Sequence, residues 1–162
     1  MFSIGCHLSF SGGFLAMGET ALAESWQSRD YLSHNHCMLG HLYSWLFSGI
    51  GGISQESGST AYKRIVIDPQ IVGDLRDARV SFRSPYGLIR SEWKDAPDEF
   101  VQTIEIPANA TARICLPATD PAKVTESGKP VSGRKDMAVE SGTDGRIELH
   151  VGSGVYRIAV EK

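Results

Sequence analysis

Phe100-Val101-Gln102-Thr103-Ile104-Glu105-Ile106 places Phe100, Ile104 and Ile106 on one side of an extended chain and Thr103 and Glu105 on the other. That two-residue period is the signature of a strand buried on one face only. Leu88-Ile89-Arg90-Ser91-Glu92-Trp93 carries the same period. Residues 63–68, 78–83, 111–116, 146–151 and 155–160 read as further strands. Turn formers stand between them: Ser84-Pro85-Tyr86-Gly87, Pro107-Ala108-Asn109, Gly128-Lys129-Pro130, Thr143-Asp144-Gly145 and Gly152-Ser153-Gly154. No helical crossover is long enough to run such strands parallel. The expectation for residues 62–162 is therefore an antiparallel β-sandwich of about seven or eight strands.

Upstream the period changes. Met38, Leu42, Trp45 and Leu46 recur at helical spacing, and Leu39, Tyr43, Phe47 and Ile50 widen the apolar face past half the circumference. Ser33 or Asn35 can cap the start of this helix, and Gly49, Gly51 and Gly52 stop it. A weaker helical pattern covers residues 14–26. The fold class expected is mixed and mainly β: two N-terminal helices over residues 1–53, a Ser/Gly-rich linker over 54–61, then the sandwich. Two helices cannot cover a surface that is apolar almost all round. Either the sandwich covers them, the chain self-associates through the uncovered helices, or the missing helices belong to a longer parent, and the last is the expectation.

The chain has 162 residues, 41% of them hydrophobic and 22% charged, with a net charge of -3. That is enough apolar material for a core. Without a Lys/Arg cluster, it has no electrostatic footprint for nucleic acid and nothing to hold an anionic membrane surface. Neither partner is expected. Cys6, Cys37 and Cys115 are widely spaced, so none forms a C-x-x-C site, and their odd number argues against a disulfide scaffold. The first 28 residues contain no Lys or Arg, and Ser9, Ser11, Gly12 and Gly13 interrupt the apolar stretch, so no secretory signal is read. No run approaches the roughly 18 apolar residues of a membrane span. No compartment is assigned.

Polar chemistry concentrates between the helices: Glu24, Ser25, Trp26, Asp30, and Ser33-His34-Asn35-His36-Cys37. A carboxylate beside an indole can serve as general base under a stacked sugar ring. On pattern alone, though, an exposed glutamate is the ordinary reading of Glu24. Cys37 and His41 are four apart and could share a helix face with His34 or His36 as zinc ligands, but the set lacks the fourth ligand of a structural site. No metal is expected, and His41 reads as a packed structural histidine. Ser25, His36 and Asp30 make a triad only on paper, without a nucleophile elbow. Gly49-Ile50-Gly51-Gly52 has neither the strand before nor the helix after that a phosphate loop needs. Tyr86, Trp93 and Phe100 could meet sugar if they faced solvent, yet Trp93 is in register with Ile89 and reads as core.

Three runs together resemble a known family: Gly18-Glu19-Thr20-Ala21-Leu22-Ala23-Glu24-Ser25-Trp26, Ser33-His34-Asn35-His36-Cys37-Met38-Leu39-Gly40-His41, and Trp45-Leu46-Phe47-Ser48-Gly49-Ile50-Gly51-Gly52-Ile53. They are similar to the end of the helical toroid of bacterial α-L-rhamnosidases, the glycoside hydrolase family 78 type. Ala61-Tyr62-Lys63-Arg64-Ile65-Val66-Ile67-Asp68-Pro69-Gln70 and Ser84-Pro85-Tyr86-Gly87-Leu88-Ile89 resemble the opening strands of that family's C-terminal β-sandwich. The resemblance runs from about residue 13 onward, and the ordered succession is more specific than any one motif.

The resemblance implies an inverting hydrolase of terminal α-L-rhamnosides with a six-hairpin (α/α) toroid and no cofactor. Glu24 falls on the general base of a Glu-x-Trp motif, His36 on a histidine lining the sugar pocket, and Trp26 near the same pocket. The general acid would lie upstream, in helices outside these 162 residues. Ala23 and Gln27 depart from the family's usual residues at those positions. The function expected is the C-terminal portion of such an enzyme, inactive alone. The alternative is a non-catalytic β-sandwich that binds carbohydrate or serves as scaffold.

Overall fold

The computed structural model describes residues 16–18, 34, 41–142 and 144–162. It divides into compact units over residues 1–44 and 45–162. The helix expected to end at the glycine group does so. Among the described residues the helical structure there is α1, His41–Trp45, followed by a π-helical turn, Leu46–Ile50, which the Gly51 amide closes on the Leu46 carbonyl at 3.0 Å; the two N-terminal helices expected over residues 1–53 are not shown. Gly52 then turns the chain with φ +69°, and a Cβ there would stand 2.2 Å from the Pro69 nitrogen. Only glycine meets both demands. The weaker helical pattern over 14–26 falls almost wholly outside the described residues.

Among the described residues eleven strands follow: β1 Ile53–Gln55, β2 Arg64–Ile67, β3 Asp77–Ser84, β4 Gly87–Asp95, β5 Glu99–Ile106, β6 Thr111–Cys115, β7 Val124–Glu126, β8 Lys129–Pro130, β9 Ala138–Ser141, β10 Ile147–Val151 and β11 Gly154–Glu161. They form a five-stranded sheet, β1-β2-β6-β10-β9, and a six-stranded sheet, β3-β4-β5-β11-β7-β8. The protein is mainly β. All seven strands read from the sequence are present, and β1, β7, β8 and β9 add four short ones, correcting the expected count of seven or eight. Ser54 and Gln55, at the front of the stretch read as a linker, lie in β1 and pair with Val66 and Ile65.

One pairing departs from the antiparallel expectation: β2 and β6 run parallel, with Ile65 opposite Ala112 and Ile67 opposite Ile114. A parallel pair needs a long connection rather than a tight hairpin. Here β3, β4 and β5, in the other sheet, supply it, so no helix is required.

Alternation does the packing. In β5, Phe100, Gln102, Ile104 and Ile106 are buried while Val101, Thr103 and Glu105 are half exposed. Ile65, Ile67, Ile114, Ile147 and Leu149 from the five-stranded sheet join Ile89, Phe100, Ile104 and Ile158 from the six-stranded sheet in one hydrophobic cluster. At roughly 1.5–3 kcal/mol per buried aliphatic side chain, this cluster is the main source of stability. Gln102 is buried among these residues, and its amide donates to Ser91 Oγ at 3.1 Å. The Ser127-Gly128 hairpin between β7 and β8 has φ values of +49° and +75°, the two left-handed residues that match strand twist.

Candidate functional site

Glu24, Trp26 and His36, the site residues expected from the sequence, lie outside the described residues, as do Ser25, Asp30 and Cys37. His34 is half buried. His41, read as a packed histidine, is instead exposed at the first position of α1. Its neighbours on the same short helix are exposed too, Tyr43 at 70% and Trp45 at 44%. Among the described residues, no three His, Cys, Asp or Glu side chains gather as a metal site would require.

The aromatic residues weighed as sugar platforms separate clearly. Trp93 and Phe100 are buried and lie stacked, centroids 6.3 Å apart, which is a core arrangement. Trp93 Nε1 donates to the Ile50 carbonyl at 2.8 Å, tying the end of the π-helical turn to β4. Tyr86 sits at the β3–β4 hairpin, where Ser84 Oγ accepts from its amide and donates to the Gly87 carbonyl. It is 37% exposed.

The same joint is held from several directions. The Gln70 amide donates to Gly49 O and the Asp68 amide to Gly52 O, both at 2.9 Å. A Cβ on Gly51 would lie 2.7 Å from Val80 Cβ, so the chain here passes flush against β3. Phe82 of β3 meets Phe47 edge-on at 6.3 Å and Tyr62 at 4.7 Å. Ala61 and Tyr62 both hold positive φ, of +55° and +64°, and the Tyr62 amide is fixed by Gln55 Oε1 at 2.8 Å. Non-glycine residues persist there only when surrounding contacts compensate.

A second polar assembly lies on the outer face of the five-stranded sheet. Arg113 in β6 stands opposite His150 in β10, and Arg64 in β2 opposite Thr111 in β6. With Glu56 and Gly152 they line a shallow cleft of about 450 Å³. Arg113 donates to Glu148 Oε1 at 2.8 Å, and Arg64 Nε to Glu56 Oε2 at 2.5 Å. Burial lowers the Arg113 pKa, but Cys115 and Glu148 outweigh it and the net shift is upward. Burial also pushes the Cys115 thiol up, to about 11, with Asp68 adding to the effect. At neutral pH it is a packed thiol and not a nucleophile. At the end of the same sheet, Arg146, just before β10, grips Asp68, just after β2, through two bonds of 2.8 and 3.2 Å, reaching past β6.

Sequence reasoning did not assemble this cleft. Its signal was present as polar residues at outward positions, Arg113 between Ala112 and Ile114, His150 between Leu149 and Val151. The cross-strand register that joins them was not.

Residues 52–130, which begin at the Gly52 turn and end with β8, match the family described as bacterial alpha-L-rhamnosidase C-terminal domain. Over that stretch the chain is similar to the C-terminal domain of bacterial α-L-rhamnosidases. An α-L-rhamnosidase of Streptomyces avermitilis is 30% identical over 153 residues, covering 88% of this chain and 14% of that protein. The crystal structure of the Streptomyces avermitilis α-L-rhamnosidase complexed with L-rhamnose superposes at a TM-score of 0.74 with 28% identity, over 91% of this chain and 14% of the other. The α-L-rhamnosidase from Dictyoglumus thermophilum gives a TM-score of 0.77 with 28% identity, over 93% and 17%. The chain thus spans about a seventh of the rhamnosidases it matches. The matched rhamnosidase domain contains β1 to β8, while β9, β10 and β11 follow it in the chain.

Proposed function

We propose that this chain is the C-terminal portion of an inverting glycoside hydrolase of terminal α-L-rhamnosides. In this reading residues 1–53 contribute to an (α/α) toroid, 54–61 lead out of it, and 62–162 close as an accessory β-sandwich. The observation that carries it is the match of residues 52–130 to the rhamnosidase C-terminal domain, with 30% identity to one rhamnosidase over 153 residues. Glu24 acts as general base, drawing a proton from the water that attacks the anomeric carbon. Trp26 and His36 hold the sugar. Inversion needs a second carboxyl group about 6.5–9.5 Å away to protonate the leaving oxygen. The motifs matched here supply only the base.

The 162-residue chain by itself is therefore catalytically silent. Loss of a general acid removes roughly 10²–10⁴ in rate, and loss of the positioning walls removes more. Incubation with 4-nitrophenyl α-L-rhamnopyranoside is expected to release no nitrophenol above buffer. Release that disappears in Glu24→Gln would overturn the claim of silence while supporting the role of Glu24. Release that persists in that variant would count against both.

A scaffolding role for the sandwich is the second reading, favoured by the Trp93 bond to Ile50 and the flush contact of Gly51 with Val80. The sheets then serve as the rigid base to which the last helix is fastened. Carbohydrate is the only partner assigned.

A further inference from the structure

We propose that the cleft on the outer face of the five-stranded sheet is a binding site for a neutral monosaccharide unit. It uses none of Glu24, Trp26 and His36, and it stands or falls independently of the role of Glu24. The argument is one of matching donors and acceptors. Arg113 commits Nη1 to Glu148 and Cys115 Sγ, and Arg64 commits Nε to Glu56 and Nη2 to the Ser57 carbonyl, which leaves Nε and Nη2 of Arg113 and Nη1 of Arg64 to donate. Glu56 uses Oε2 in its pair and keeps Oε1, and the Thr111 hydroxyl both donates and accepts. Vicinal hydroxyls want this mixture, since each can donate to a carboxylate and accept from a guanidinium.

Charge excludes the other ligand classes. Each arginine already carries its own carboxylate, so an anion gains no net attraction here. His150 is the single ring among the lining residues, and no Trp, Tyr or Phe is there to give an apolar or flat heteroaromatic ligand a broad stacking platform. A volume of about 450 Å³ suits one sugar ring. The His150 ring forms one wall, its Nε2 shielded and 3.6 Å from Glu140. A shallow site without a stacking platform binds in the millimolar range.

The test is a titration of the full chain, isotope-labelled, with L-rhamnose, D-galactose and D-glucose, read by amide chemical shifts. D-galacturonate and inorganic phosphate serve as anionic probes. At least one neutral sugar is expected to give saturable shifts confined to β2, β6 and β10. Arg113→Gln should weaken binding by about tenfold or more, the value of one charged hydrogen bond. Gly152→Leu should abolish it. Gly152 lines the cleft, and a Cβ there meets nothing within 4 Å at an ordinary φ, so a leucine adds bulk at the cleft without a clash in the fold. Arg79→Gln, on the other sheet, should leave the shifts intact. Three results would overturn the proposal: no saturable shift with any neutral sugar, shifts that survive Gly152→Leu, or a response to galacturonate or phosphate alone.

Discussion

The two sheets are alike inside and different outside. Both bury an aliphatic face in the same cluster. On the outer face of the six-stranded sheet, Arg79, Glu92, Arg90 and Glu105 form a charge ladder with separations of 3.7 to 3.9 Å, and Arg79 is 80% exposed. On the five-stranded sheet, Arg113 and Glu148 close to 2.8 Å and Arg146 holds Asp68 bidentately. Similar residue types thus do different work. Loose pairs in water keep a sheet face soluble, whereas tight, half-covered pairs shape a surface and fix neighbouring strands.

The largest expected effect tests whether the inner faces are truly shared. Ile104→Ala in β5 and Ile114→Ala in β6 each delete a side chain with no exposed surface. Each should cost about 2–5 kcal/mol, the usual range for emptying a well-packed site. Chemical denaturation should show one transition for each variant. Two separated transitions, with only one shifted by each substitution, would mean that the sheets are independent bodies.

Trp93→Phe comes next, because it addresses the joint at which the six-stranded sheet receives the helix end. Phenylalanine keeps most of the packing against Phe100 but leaves the buried Ile50 carbonyl without its donor. An abandoned buried acceptor costs about 1–3 kcal/mol. The distinctive readout is hydrogen exchange at the Gly51 amide, whose bond to Leu46 closes the π-helical turn. Faster exchange there, with β6 and β10 unchanged, is expected. A uniform change across both sheets would reduce Trp93 to an ordinary core residue.

Much of this architecture was legible beforehand, and the omissions have a physical pattern. Strands of at least four residues with one wet face announce themselves by alternation, as β5 and β4 do. β1, β7 and β8 have three, three and two residues, too few for a period to register. β9 has four, but none is buried, so it lacks the contrast on which the reading depends. The parallel β2–β6 pair was invisible because its crossover is built from strands of the other sheet. Glu24, Trp26 and His36 came from the resemblance, whereas the cleft depends on register. Arg113 and His150 are 37 residues apart in the chain, and only the β6–β10 pairing sets them side by side.

Acid bears on the end of the six-stranded sheet. Glu126, at the end of β7 and nearly buried, accepts from Ser127 Oγ and from Arg134 Nη1, both at 2.6 Å. Arg134 also pairs with Asp136, so one guanidinium pins the loop after β8 to the six-stranded sheet. Burial pushes the Glu126 carboxyl up, yet the bonds from Ser127 and Arg134 prevail and hold it below its ordinary 4.5. A carboxyl lowered in the folded state stabilises fully above that ordinary value and loses its contribution as pH falls through the folded one. Glu126→Gln should cost about 1–2 kcal/mol at pH 7 and flatten the acid limb of the stability curve. An unchanged slope below pH 4.5 would assign the acid loss to other carboxylates, Asp144 beside Arg146 among them.

The smallest effects decide whether the outer-face contrast is energetic or merely geometric. A double-mutant cycle on Arg79 and Glu92 should return a coupling near zero and below about 0.5 kcal/mol, because solvent screens a pair 3.9 Å apart and the long side chains lose entropy to meet. The same cycle on Arg113 and Glu148 should return about 1 kcal/mol. Their hydrogen bond is short, and the side chains are only 31% and 17% exposed. Raising the salt concentration should shrink the first coupling further and leave most of the second, since partly buried charges are screened less. Equal couplings would mean that the tight pairs of the five-stranded sheet gain nothing from their geometry. The cleft they border would then be a surface irregularity, with no more reason to be shaped than the open ladder on the opposite side.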